Sequence, residues 1–229
     1  MTRGESPVPP SEEGSPQLRA QLLATEHWSL LASRSTTQNE LLVRIAIFLT
    51  LVSASVVSLA LIGQATDFDG RFDSFTIALF STLLLVGTLT LLRVFNASVE
   101  DAVYVIGMNR LRAAYTELDP GIDGYFVTST HDDNRGISKT YAFYEDVPAL
   151  VQVLASSSML ILVVDVVVAG VLAGLVTNAV AGSGAMIAIA AAAVGTIYLL
   201  VWAWYFVRRI AAQERRYEAL FPHSDAGGN

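Results

Sequence analysis

The chain has 229 residues, a formal charge of −7 at pH 7, no cysteine, and 53% hydrophobic against 15% charged residues. The acidic balance argues against nucleic acid as a partner, since phosphate binding rests on clustered Lys and Arg. Without cysteine there is neither a disulfide nor a thiolate metal site, and Lys139 as the single lysine among 14 basic residues suggests a high-GC bacterial genome.

Residues 1–16 (MTRGESPVPPSEEGSP) are rich in Pro, Ser and Glu and lack the apolar core of a signal peptide, so they read as a disordered cytoplasmic tail. No proline interrupts Gln17 to Gln64. Leu18, Leu22, Leu23, Trp28, Leu30 and Leu31 recur near three- and four-residue spacing there, which predicts an amphipathic helix entering a first span, with at most a bend at Ser35 to Thr37.

Uncharged runs over 45–66, 74–92 and 185–207 mark spans at about 45–66, 74–95 and 185–207; a further span, about 149–177, carries one charge, Asp165, and a turn-like TNAVAGSG follows it. A helix needs about 20 apolar residues to cross roughly 30 Å of hydrocarbon. In lipid each segment must be helical, because a lone strand leaves backbone groups unpaired. The fold class is therefore all-α, a four-helix transmembrane bundle with cytoplasmic helical extensions, the whole occupying 17–220. Arg71 stands alone on one side, whereas Arg3, Arg19, Arg34, Arg44, Arg93, Arg110, Arg112, Arg135, Lys139, Arg208, Arg209, Arg215 and Arg216 fall on the other. By the positive-inside rule both termini and the 97–146 connection face the cytoplasm.

Within that connection, Ser98 and Asp101 resemble a capping box, which predicts a new helix with an apolar stripe of Val99, Ala102, Val103, Ile106, Leu111, Ala114, Tyr115 and Leu118. Asp119-Pro120-Gly121 ends it, and Gly121 to Tyr144 reads first as a packed loop and second as a short hairpin. The fourth helix is expected to continue to about Leu220, with 221–229 as a tail. Trp202, Trp204 and Tyr205, followed by Arg208 and Arg209, suit the lipid headgroup layer as anchors.

Asp165 is the foremost single residue, because a carboxylate at mid-span costs about 2.5 to 3.5 kcal/mol on insertion scales. Ser53 or Ser55, Thr88 or Thr90, and Tyr198 or Trp202 match its depth. With no basic residue at that level, the expectation is a neutral acid donating a hydrogen bond, serving either as structural glue or on a pathway for ions or protons. Gly170 and Gly174 form a GxxxG, and Ala188, Ala191, Ala192 and Gly195 continue the theme of close helix packing, read first as an antiparallel hairpin and second as a dimer contact.

Three other clusters carry less. Asp67, Asp69 and Asp73 in DFDGRFD lack the EF-hand spacing. His131, Asp132 and Asp133 read as a polar turn, because His27 and His223 lie in other segments and no paired-His spacing exists. Ser156, Ser157 and Ser158 have no neighbouring base and read as helix-capping or back-bonding residues. No catalytic, cofactor or metal site is expected.

The segments EHWSLLASRSTTQNE (26–40), GMNRLRAAY (107–115) and GYFVTSTHDD (124–133) resemble those of a family of small four-span integral membrane proteins of high-GC bacteria. The resemblance implies four spans in a bacterial envelope and supplies no activity, substrate or site residue. The expected function is that of an oligomeric, non-enzymatic scaffold or partner-binding protein of the bacterial inner membrane, contacting the lipid bilayer, a further copy of itself and a possible cytoplasmic protein. The alternative is a small channel or proton-coupled transporter using Asp165.

Overall fold

A computed structural model describes residues 15–141, 149–180, 182–215 and 217–223. The expected tails fall largely outside these residues. Among the described residues every regular element is helical: α1 (Pro16–Ala65), α2 (Gly70–Leu118), a 3-10 helix (Pro120–Tyr125), α3 (Asn134–Tyr141), α4 (Ala149–Leu154), α5 (Ser157–Ala179) and α6 (Gly184–Glu214). Helices α1, α2, α5 and α6 are each long and apolar enough to cross a membrane. Contacts divide the chain into a bundle unit, 35–101 with 146–218, and a small unit, 1–34 with 102–145 and 219–229.

In the bundle unit, Ile45 and Phe48 of α1, Leu91 and Val94 of α2, and Ile161 and Leu162 of α5 form one buried cluster, flanked by Tyr198, Trp202 and Phe206 of α6. Leu83, Gly87, Leu91 and Val94 recur at three- and four-residue steps and put one stripe of α2 inward. Leu42, Ile47, Leu51, Val56 and Leu61 of α1 are exposed. Lipid suits such side chains as well as protein does, so exposure there carries no penalty in a bilayer.

Helix α1 runs unbroken through Ser35 to Thr37, as expected, while three other boundaries shift. No helix starts at Ser98, because α2 is continuous: the Ser98 hydroxyl bonds back to the Val94 carbonyl at 3.0 Å, and Asp101 accepts from the Gln38 amide at 3.1 Å instead of capping. The third span splits into α4 and α5, since the Ser156 side chain accepts from the Met159 N–H and caps a fresh helix start. Helix α6 stops at Glu214, short of Leu220, and 217–223 run without regular structure.

Between α1 and α2 the chain turns through Asp67 and Phe68, at φ 48° and 55°. Non-glycine residues pay for that conformation, and here the Phe68 ring lies where a Cβ on Gly63 would stand. Asp69 caps α2, accepting from the Arg71 N–H at 2.9 Å and the Phe72 N–H at 3.3 Å, so the acidic loop is a helix start.

In the small unit the buried stripe of α2 is Val105, Met108, Asn109 and Ala113. That differs from the expected stripe: Val103 is exposed. Leu30 packs so closely over Gly107 that a Cβ there would lie 2.9 Å from Leu30 Cδ1. Gly121 to Tyr144 is more helical than a packed loop, holding the 3-10 helix and α3, with residues 142–148 outside the description.

Candidate functional site

Asp165 lies on the inward stripe of α5 with Ile161, Leu162, Val168 and Ala169, and is fully buried. The Tyr198 hydroxyl of α6 donates to its Oδ2 at 3.1 Å. Thr88 Oγ1 of α2 lies 2.8 Å from that hydroxyl and, because Tyr198 has already given its one proton, is the donor. Three of the four spanning helices are thus tied by one polar chain. Oδ1 has no hydrogen-bond partner among the described residues. It fills the place a Cβ on Gly87 would take, so the Gly87 Cα–H points at it, a weak contact that only glycine allows.

The expected depth matches Thr88 and Tyr198 are in the polar chain, Trp202 bonds to Tyr198 beside it, and Ser53, Ser55 and Thr90 lie outside it. Ser53 is exposed and bonds to the Leu49 carbonyl at 2.9 Å, while Ser55 and Thr90 bond to the carbonyls of Leu51 and Val86. Serine and threonine in apolar helices satisfy themselves this way when no partner is in reach. Asp165 Oδ2 and the Tyr198 hydroxyl lie within hydrogen-bond distance, as the depth match expects. Gly87, missed in the sequence, is the residue that makes room for the carboxyl.

Helices α5 and α6 meet through small residues. A Cβ on Gly170 would lie 3.1 Å from the Ala191 carbonyl oxygen, and one on Gly195 would lie 3.3 Å from that of Val166. Gly174 faces Ile187 and Ala191. The contact row on α6 is Ile187, Ala191 and Gly195, four residues apart, whereas Ala188 and Ala192 point outward. Of the expected anchors, Trp204 is exposed with the Arg208 guanidinium 4.4 Å from its ring centre, and Arg209 is exposed. Trp202 and Tyr205 instead join an aromatic cluster with Phe206, which stacks on Phe95 at 4.2 Å.

The small unit is held by two buried polar groups. Asn109 Nδ2 donates to the His131 carbonyl at 2.8 Å and, at 3.5 Å, to that of Gly136, while its Oδ1 accepts from Arg112 at 2.9 Å and Thr140 at 3.1 Å. A Cβ on Gly136 would run into the His131 carbonyl, so this crossing too requires glycine. Asp132, fully buried, pairs with Arg110 at 2.7 Å and accepts from the N–H groups of Leu220 at 2.9 Å and Phe221 at 2.8 Å. Asp133 accepts from the N–H of His223 and faces its Nδ1, each at 2.8 Å. Burial alone works against its ionised form, but the N–H groups of His223 and Gly136 and the imidazole hold the carboxyl down at about 2.

HDD is thus the seat of the C-terminal segment, more than a polar turn, and Phe221 to His223 belong to the folded unit. No local signal joins residues so far apart in sequence. Among the described residues no group of three or more His, Asp or Glu is placed to hold a metal ion.

Four helices long and apolar enough to span define a multi-pass helical membrane protein. Scans of family models, of curated proteins and of solved structures give no match to the chain. The resemblance to a four-span family rests on the quoted segments alone.

Proposed function

We propose that the chain is a non-catalytic protein of a bacterial inner membrane, with both termini and residues 97–146 on the cytoplasmic side. It acts as an oligomeric scaffold or docks a protein partner through the small unit. The observation that carries this is the outer surface of that unit, where Trp28, Tyr125 and Val127 are 70%, 84% and 71% exposed. Exposed aromatics outside the spans, on a body whose interior polar groups are saturated, are the side chains that anchor protein interfaces. A photocrosslinker at Trp28 of the full chain, in native membranes, should capture one recurrent species, either a second copy or a discrete protein. A chain that stays monomeric and partner-free counts against the reading.

One observation favours a second reading, a small channel or proton-coupled carrier: Asp165 keeps an unpartnered buried oxygen at the end of a hydroxyl chain. Intramembrane acids mark proton and ion paths in many transporters. Flux in liposomes, compared between the native chain and Asp165→Asn, decides it, and absence of flux in both removes the transport reading.

A further inference from the structure

The HDD loop holds residues 220–223 much as a site holds a ligand. Asp132 takes two consecutive backbone N–H groups of this strap, Asp133 takes a third, and the Asp132 N–H returns a bond to the Phe221 carbonyl at 3.3 Å. Carboxylates accepting backbone N–H groups make short, charge-assisted bonds. The His223 ring is held on two sides. Its Nδ1 lies 2.8 and 2.9 Å from the two Asp133 oxygens, and its face stacks on His131 with ring centres 3.8 Å apart and planes 17° from parallel.

Two neutral imidazoles stack favourably, and so does one neutral ring on one protonated ring. Two imidazolium rings in that position repel at close range with no water between them. The groups facing His131 do little to offset this. Its own loop offers the Thr130 hydroxyl, 3.4 Å from Nδ1, and Asp133, which is already bound to His223. Lys139 of α3 adds positive charge, Asp123 of the 3-10 helix adds negative charge, Asn109 of α2 holds only the His131 carbonyl, and Arg110 is paired to Asp132.

We propose that the HDD loop and the C-terminal strap form an acid-released latch, seated while at most one of the two stacked rings carries a proton and released when both do. Burial, and after it the neighbouring His223, hold His131 below the usual imidazole value of 6.5. At His131 the seated form thus holds its proton less readily than the released form, so this contribution to seating is present at high pH and lost as pH falls below about 6.5. Asp133, held at about 2, stays ionised throughout that range, so the transition is assigned to His131.

The chain has no cysteine, so Leu220→Cys gives one labelling position, with a side chain 64% exposed and the backbone N–H retained. A nitroxide there, on the full chain in lipid nanodiscs, should be immobilised at pH 8. The ratio of mobile to immobile label should rise by up to about tenfold per pH unit below 6.5, reversibly and with unchanged helical circular dichroism. His131→Phe, which keeps a stacking ring but takes no proton, should stay immobilised at pH 5; His131→Gln carries the same expectation should the phenylalanine variant not fold. Label that is mobile at pH 8, label that is immobile down to pH 5, an unchanged acid transition in the folded variant, or release together with loss of helix would each overturn the latch.

Discussion

Gly87→Ala tests the polar centre of the bundle with a single methyl group. The new Cβ would overlap Asp165 Oδ1 and stand 2.9 Å from Phe48 Cζ, both in fully buried side chains. To admit it, Asp165 must swing away from Tyr198, at a cost of about 1–3 kcal/mol for a buried polar group left unpaired. Overpacking against Phe48 adds about 1–3 kcal/mol. Alanine recovers up to about 1 kcal/mol as the better helix former, so the net loss should be about 1–6 kcal/mol. Unfolding in mixed micelles or by steric trapping measures it, with Gly70→Ala, where a Cβ meets nothing within 4 Å, as the reference. In an Asp165→Ala background the same methyl still meets Phe48 but no carboxyl, so its cost should fall by the polar part alone, giving a coupling of about 1–3 kcal/mol. A neutral Gly87→Ala, or an equal loss in both backgrounds, would refute the argument.

Asp132→Ala removes the partner of Arg110 and of two strap N–H groups. Because Arg110 is about one-third exposed, the loss should be about 2–3 kcal/mol, below that of a fully enclosed pair, and a label at Leu220→Cys should become mobile even at pH 8. The stabilisation from Asp133, whose carboxyl is held at about 2, is complete above its usual value of 3.8 and should fade as pH drops from there towards 2; Asp133→Asn should abolish this second acid step in an unfolding titration. Gly170→Ala, facing a carbonyl at 3.1 Å, should destabilise the α5–α6 pair more than Gly174→Ala, which meets a side-chain methyl at 3.4 Å, and thermal melts in detergent rank the two.

The four spans were legible because length and missing charge are properties of a segment alone, and Asp165 with Thr88 and Tyr198 followed from depth along helices of known rise. Gly87 was not, because a glycine in an apolar run looks like any other until the side chain opposite is known. The α6 face was half legible: Ala191 and Gly195 turn inward, but which alanines join them depends on the rotation of the helix, and that is set by packing. Ser98 misled because the same side chain that caps a helix start can bond back inside a helix. His131 and His223 meet through a long-range fold, where spacing carries no information.

The central claim is a chain that crosses the membrane four times with its arginine-rich segments on one face. Single cysteines at Gly70, Gly124 and Gly184, each with open space around the position of a Cβ, report sidedness directly. With a membrane-impermeant maleimide on intact cells, Gly70→Cys and Gly184→Cys should label, and Gly124→Cys only after permeabilisation. Labelling of Gly124→Cys from outside, or of only one of the other two, would contradict the account.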